Sequence, residues 1–313
     1  MVAPVRIVIA GGSGFLGRHL ANRWSDAGHD VVILTRRINP AIALRQVVWD
    51  AKTAGRWTDV LCTDGPVSIV NLAGKLVDCR PSPKNIAALK TSRVDATTAL
   101  VQASQQLDRP VSHWLQSSTT AIYSDSGDTP LDEFSPIPEP GLPQMTGVAS
   151  AWEDAVVGAN TLNSTVLRSS IVLAAGCPAF DRLAFLVRYG AGGTVGSGRQ
   201  WVSWIHLHDW LRIADASMGL AADIRLPNGV VIAASPHPVR NSELMSVLRR
   251  QFRRSGIASP AALVTLGALL LRTDPALALT GRFATSTVLR EAGFTFRYPH
   301  LPATVNELVN SNH

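Results

Sequence analysis

The chain predicts an α/β fold: a doubly wound parallel sheet with a smaller, mainly helical C-terminal lobe. Three observations predict it. Over the first 120 residues, strand-like runs alternate with helix-like ones. Several of the strand-like runs are continuously apolar, as in strands buried on both faces. A glycine-rich turn, GGSGFLG at 11–17, joins the first strand to the first helix. Such alternation places parallel strands in one sheet with helices on both faces. Right-handed crossovers then give the doubly wound order.

Each element follows in turn. VRIVIA (5–10) is the first strand. Residues 15–27 carry Phe15, Leu16, His19, Leu20 and Arg23 at helical spacing, and Gly28 ends that helix as a C-cap. DVVILT (30–35), QVVWD (46–50), VSIVNLAG (67–74) and VSHWLQSS (111–118) supply four further strands, with a long helix over 85–106. A loop rich in Pro, Ser and acidic residues occupies 124–143, where Asp132 and Glu133 read as solvated charges. A helix over 144–159 and a sixth strand, STVLRSSIVL at 164–173, come next. AGGTVGSG (191–198) then breaks the rhythm, and SWIHLHDW (203–210) reads as a strand running into a helix with Asp209 near its N-cap. The last 80 residues look mainly helical. Within them AALVTLGALLL (261–271) reads as a buried helix, since it is too short to span a bilayer.

Composition narrows the class. The 313 residues are 46% hydrophobic, enough for a sizeable core, and carry a formal charge of +6. Only four of the 29 basic residues are lysines: Lys52, Lys75, Lys84 and Lys90. The densest basic run is Arg249, Arg250, Arg253 and Arg254; the rest are scattered, which argues against nucleic acid and fits an arginine-rich surface or anionic ligands. The three cysteines form neither a disulfide framework nor a zinc spacing. The N-terminus enters a strand without the basic region and cleavage site of a secretory leader. A reducing, cytoplasmic location is expected.

The most informative segment is GGSGFLG. Gly11, Gly14 and Gly17 follow a buried strand and open a helix, the context a dinucleotide-binding fingerprint requires. Gly11 permits the tight turn. Gly14 lets backbone N–H groups approach a pyrophosphate, and Gly17 lets helix and strand pack closely. Ser13, Phe15 and Leu16 complete the turn, whose helix N-terminus adds unpaired donors and a positive dipole end. The second strand ends in Thr35, Arg36 and Arg37, without the carboxylate that would bind a ribose 2′-hydroxyl. Arginine there favours a 2′-phosphate, so NADP (NADPH) is expected in preference to NAD.

Several motifs together resemble the extended short-chain dehydrogenase/reductases, and so a Rossmann fold. They are NLAG (71–74), SSTTAIY (117–123), RSSIVL (168–173) and SWIHLHD (203–209). SRVDATTAL (92–100), WED (152–154), GSGRQWVSWIH (196–206) and GFTFRYPHL (293–301) resemble one atypical branch, the epimerase-family or sugar-nucleotide-epimerase-like proteins, sometimes labelled cell-division inhibitors. In that branch the C-terminal domain has no assigned role. The resemblance implies that Arg36 binds the 2′-phosphate and that Asn71, Leu72, Ala73 and Gly74 line the nicotinamide side. It places Arg93 on the long helix facing the cofactor, with a structural salt bridge as the alternative. The domains expected are 1–175, an NADP-binding Rossmann unit whose sheet is completed by part of 200–235; 176–235, a substrate lobe with returning segments; and 236–313, a mainly helical C-terminal domain.

The usual members of this superfamily use a Ser/Thr hydroxyl with a Tyr-x-x-x-Lys pair as tuned acid and base. Here the last lysine is Lys90, and Gly127, Gly193 and Pro302 stand four residues after the three tyrosines. Aligned on Glu153, the pair would fall at Met145 and Ala149, and neither transfers a proton. Ser118 and Thr119 remain as hydroxyls to polarise a substrate oxygen, with Tyr123 as surrogate acid. Strand-end hydrogen bonding and simple packing are the competing roles. Gln200 and Ser203 are candidate substrate contacts. His206 and His208 fit a strand-to-helix junction better than a metal site, and no metal is expected.

Two functions stay open. One is an NADP(H)-dependent oxidoreductase or epimerase acting on a small or nucleotide-linked carbonyl/hydroxyl compound, anionic in one reading. The other is a catalytically silent NADP(H)-binding sensor or regulator. The partners expected are that small molecule and a second copy of the chain, with neither membrane nor nucleic acid.

Overall fold

Strand β1 (Arg6–Ala10) is an interior strand of a seven-stranded sheet, and its last four residues are buried. A computed structural model of the chain describes residues 4–262, 264–266 and 273–310. Helix α1 (Phe15–Asp26) follows the glycine turn, and then come β2 (Asp30–Thr35), β3 (Arg45–Val48) and β4 (Val67–Asn71). Helix α2 (Pro83–Gln105) leads to β5 (Val111–Thr119), and the short β6 (Pro130–Leu131) precedes α3 (Thr146–Asp154). Strands β7 (Thr161–Ser169) and β8 (Ile171–Leu173), helix α4 (Pro178–Arg188) and strands β9 (Trp201–Val202) and β10 (Trp204–His206) come next. Helix α5 (Leu207–Ser217), β11 (Gly229–Ala233), β12 (Val239–Arg240) and α6 (Asn241–Phe252) complete the described elements up to residue 252.

The sheet order is β11-β7-β5-β4-β1-β2-β3, and the paired strands run parallel. The chain therefore winds outward from β1 in both directions, the Rossmann arrangement. Its switch point lies between β1 and β4, where open parallel sheets bind ligands beyond their strand ends. Alternate residues of each strand feed two cores. Ile7, Ile9, Val31, Ile33 and Val70 face one side. Val8, Ala10, Val32, Leu34 and Ile69 face the other, as a period of two dictates.

Several boundaries differ from the sequence expectation for identifiable reasons. The fourth strand stops at Asn71, because the Asn71 side chain accepts the Ala73 N–H at 3.1 Å and turns the chain. The third stops at Val48, because Asp50 binds the Lys52 and Thr53 N–H groups and Ala51 takes a positive φ of 59°. The long helix starts two residues earlier than expected: Ser82 caps it, and Pro83 fills the first turn. The expected strand 164–173 is two strands. After Ser169 the chain leaves the main sheet, Ser170 N–H bonds to Ala233, and β8 pairs instead with β10.

The expected solvated loop charges Asp132 and Glu133 are half-buried and hydrogen-bonded, Asp132 accepting from the Thr287 hydroxyl at 3.1 Å. The Glu133 carboxylate accepts the Ile232 and Thr287 N–H groups at 2.8 and 3.0 Å and the Ser286 hydroxyl, so it caps the helix Thr287–Glu291. Asp209 lies in the first turn of α5, but the cap is His206, whose Nδ1 accepts the His208 N–H at 3.0 Å. Fully buried Asp209 instead holds the Arg297 and Tyr298 N–H groups at 2.9 and 2.8 Å. Of the stretch 261–271, residues 263 and 267–271 lie outside the described residues, whereas Ala261, Ala262, Thr265 and Leu266 are exposed rather than buried. After residue 273 the helices are short, Ala276–Leu279, Thr287–Glu291 and Leu301–Asn310, and the strand Phe283–Ala284 pairs with β6.

Candidate nucleotide and catalytic site

The switch point is built by the glycines. Gly11 has φ +80°, and a Cβ there would lie 2.8 Å from the Leu72 carbonyl carbon, so β1 and β4 close the crevice floor only around a bare backbone. A Cβ on Gly17 would lie 2.4 Å from Gly11 O, which locks α1 tightly to the turn. Gly12, which the GxxGxxG spacing passes over, is equally constrained: its Cβ would meet Ile33 at 2.9 Å. Gly14 is less crowded. A Cβ there would make one tight contact, with Gly11 O at 3.3 Å, against several shorter ones at Gly11 and Gly17. Gly14 is also the N-cap of α1, makes no side-chain cap, and is exposed with Ser13. The first N–H groups of the helix, on Phe15 and Leu16, therefore face outward beside the switch point.

Around this turn, Thr35 ends β2 with its hydroxyl bonded to the Arg37 carbonyl at 2.8 Å. Arg36 and Arg37 are exposed and form no ion pair among the described residues. Asn71 is fully buried and donates to Thr97 and Gln116 at 2.8 and 3.0 Å, so its side chain shapes the turn from below. Leu72, Ala73 and Gly74 carry the chain over the crevice. Arg93 lies directly beneath Gly74, where a Cβ would sit 3.1 Å from Arg93 Cζ. Its guanidinium stacks on Trp152 at 4.9 Å, bonds to Leu89 O and has no carboxylate partner among the described residues. A salt bridge therefore does not account for it. Burial pushes its pKa down to about 10, so it stays charged at neutral pH.

The three candidate catalytic hydroxyls separate. Ser118 donates to Glu153 Oε1 at 2.5 Å. Arg168 grips the same carboxylate through Nε and Nη2, at 2.9 and 2.7 Å, and reaches the Tyr123 hydroxyl through Nη1 at 2.6 Å. Tyr123 donates to the Asp132 carbonyl at 2.7 Å and is 2% exposed. Burial pushes its phenol up, partly offset by Arg168. Ser118 and Tyr123 thus belong to one closed interior network. Thr119, at the C-terminal end of β5, accepts the Ala121 N–H at 3.1 Å, and among the described residues its own proton has no acceptor. Met145 and Ala149 are buried on α3 and its cap.

The two candidate substrate contacts are engaged with the C-terminal segment. Gln200 Nε2 donates to Val195 and Ala278 carbonyls at 3.0 and 2.9 Å. The Ser203 hydroxyl lies 2.8 Å from the Arg282 carbonyl and accepts the Ala284 N–H at 2.8 Å. Sequence reasoning passed over Arg282 altogether, because a lone arginine 163 residues after Thr119, the end of β5, carries no local signal.

Residues 7–233 match the model of the NAD dependent epimerase/dehydratase family, and residues 259–308 match a domain of unknown function, DUF1731. The epimerase family protein SDR39U1 of Homo sapiens is 27% identical over 310 residues, covering 97% of this chain and 100% of that protein. The epimerase family protein YfhF of Bacillus subtilis (strain 168) is 26% identical over 315 residues, covering 97% and 98%. The crystal structure of human epimerase family protein SDR39U1 (isoform2) with NADPH superposes with a TM-score of 0.82 at 26% identity, covering 97% of this chain and 99% of that one. Among the described residues, no helix is long and apolar enough to cross a membrane, and no cluster of His, Cys, Asp or Glu could hold a metal ion.

Proposed function

The chain belongs to the NAD dependent epimerase/dehydratase family, and from that premise we propose that it binds NADP(H) and carries out oxidoreductase- or epimerase-type chemistry on a small or nucleotide-linked carbonyl/hydroxyl compound. One observation carries the reading. The uncapped N-terminus of α1, at an exposed Gly14, stands at the sheet switch point beside an exposed Arg36 that no carboxylate neutralises among the described residues. Those donors and that charge fit a diphosphate and a 2′-phosphate. The NADPH held by the human relative supports the phosphorylated dinucleotide over NAD.

Phe15 and Leu16 N–H groups would hold the diphosphate, Arg36 the 2′-phosphate, and the Leu72–Gly74 backbone would cover the nicotinamide. When bound, the dinucleotide supplies the hydride donor or acceptor. The chain's own part is to orient and to move a proton. Thr119 is the hydroxyl with a free proton, and it donates to the substrate oxygen. Ser118 and Tyr123 instead stiffen the end of β5 through Glu153 and Arg168. With Met145 and Ala149 in place of an acid–base pair, the remaining proton passes to or from water.

A catalytically silent, cofactor-sensing protein is the second reading. The closed Ser118–Glu153–Arg168–Tyr123 network and the aprotic Met145 favour it. Following NADPH absorbance across a panel of carbonyl compounds separates the two. Consumption that falls in Thr119→Val supports the enzyme; NADPH binding without consumption on any compound supports the sensor.

A further inference from the structure

Arg93 is not the only shielded guanidinium that forms no ion pair among the described residues; a second, half-buried one is Arg282. Arg282, from the C-terminal segment, lies at the opposite end of α3. Its Nη2 is 2.6 Å from Met145 Sδ, and a thioether is a weak acceptor. Its Nε is buried with no hydrogen-bond partner. Burial pushes this side chain, like Arg93, down to about 10, against the pull of Asp125 and Asp274. Neither of those carboxylates pairs with it. Asp125 takes the Gly127 and Gly281 N–H groups at 3.1 and 3.4 Å, and Asp274 takes the Ala276 N–H at 2.9 Å. A half-buried cation with an orphaned Nε and a thioether for its partner among the described residues is costly, and an anion that met it would repay that cost.

The backbone around Arg282 is held on both sides. Its N–H donates to Trp201 O at 3.0 Å, and its carbonyl lies against the Ser203 hydroxyl. A Cβ on Gly281 would sit 2.4 Å from Trp201 N, so only glycine lets this strand approach so closely. Phe283 stacks on Trp201 at 4.2 Å. The contact with Met145 places the guanidinium beside the start of α3. There Thr146 donates to Ile122 O at 2.7 Å, just beyond the Thr119 end of β5. Gln200 and Ser203 thereby do their work on the segment that carries Arg282. Such support gives a planar fork a fixed aim, suited to two parallel bonds to one oxyanion.

We propose that Arg282 is the substrate-recognition residue, and that it holds an oxyanion, carboxylate or phosphate, on the compound that reacts at Thr119. This gives the domain of unknown function a role: it delivers the cation that selects the substrate. The inference rests on reading the switch-point cleft as a reaction site, but its test does not need turnover.

The test follows the Arg282 Nε–Hε resonance in the full-length protein, identified by its loss in Arg282→Lys. Sodium phosphate and sodium acetate are titrated separately, with and without saturating NADPH. The expected result is a saturable shift with at least one of the two, phosphate or carboxylate being named by which one acts. Read by calorimetry, because this variant lacks the reporter resonance, Arg282→Gln is expected to weaken that anion about ten- to hundredfold, while Arg250→Gln leaves it unchanged. No shift with either anion overturns the proposal, and it does so in wild-type protein whether or not the variants fold. An unchanged affinity in Arg282→Gln overturns it as well. If NADPH fails to bind but the anion still shifts Arg282, the cofactor reading falls and this one stands.

Discussion

Glu153 and Arg168 form an ion pair, with Oε2 and Nη2 2.7 Å apart and side chains 13% and 5% exposed, and this pair sorts the candidate hydroxyls. It draws Ser118 and Tyr123 into the interior and leaves Thr119 outside. Arg168→Met strands a buried carboxylate and is expected to cost about 3–5 kcal/mol of stability. The double variant Glu153→Leu with Arg168→Met is expected to cost less than the single. Urea midpoints check both, and a single-variant loss under about 1 kcal/mol would remove the pair from the account.

Tyr123→Phe deletes a hydroxyl that both donates and accepts inside this network. A stability loss of about 1–3 kcal/mol is expected, with NADPH affinity unchanged and turnover per folded molecule unchanged. Thr119→Val has the opposite profile. It spares stability, and once a substrate is found it lowers kcat by about 10²–10³-fold, the scale of a donor to a developing charge. Rates and denaturation curves on the two variants would show whether the assignment should be reversed.

Two glycines of one turn are expected to fail differently. In Gly17→Ala the new Cβ collides with Gly11 O and with Gly12 Cα, 2.4 and 2.6 Å away, so the fold loses about 1–3 kcal/mol. In Gly14→Ala the Cβ makes a single tight contact with an oxygen at 3.3 Å, so the fold loses less than in Gly17→Ala while dinucleotide affinity drops. Equal losses of stability in both would mean that Gly14 serves the fold alone.

The pH dependence has a definite sign. Burial pushes the His206 imidazole below its usual 6.5, against the pull of Glu307 and Asp209. Above that value neither folded nor unfolded chain is protonated there, and His206 contributes no slope. As pH falls below 6.5 the unfolded chain takes up the proton first, so stability declines with acidification. His206→Asn keeps a capping acceptor for α5 and removes the titration. It is expected to flatten the decline in urea midpoint between about pH 7 and 5. A decline as steep as wild type would assign it to other groups.

The local geometry of the proposed nucleotide half is legible in the sequence, because its parts are consecutive. The turn at 11–17 and the ends of β2 and β4 carry their geometry in local glycines and in Asn71. The catalytic half is not. Whether Tyr123 faces solvent depends on Arg168 and on the Asp132 carbonyl, which lie on other elements. That Glu133 caps a helix more than 150 residues away is a tertiary fact with no periodic signature. Arg282 is hidden for the same reason. Its setting comes from Gly281 closing on Trp201 and from Ser203, a contact across 81 residues between its hydroxyl and the Ala284 N–H.

The most direct test of the central claim is a calorimetric titration of the full-length protein with NADPH and with NADH, in wild type and in Arg36→Ala. Wild type is expected to bind NADPH about ten- to hundredfold more tightly than NADH, a preference that Arg36→Ala abolishes while NADH affinity stays put. Equal binding of both dinucleotides by wild type would contradict the role of Arg36, and binding of neither would contradict the site itself.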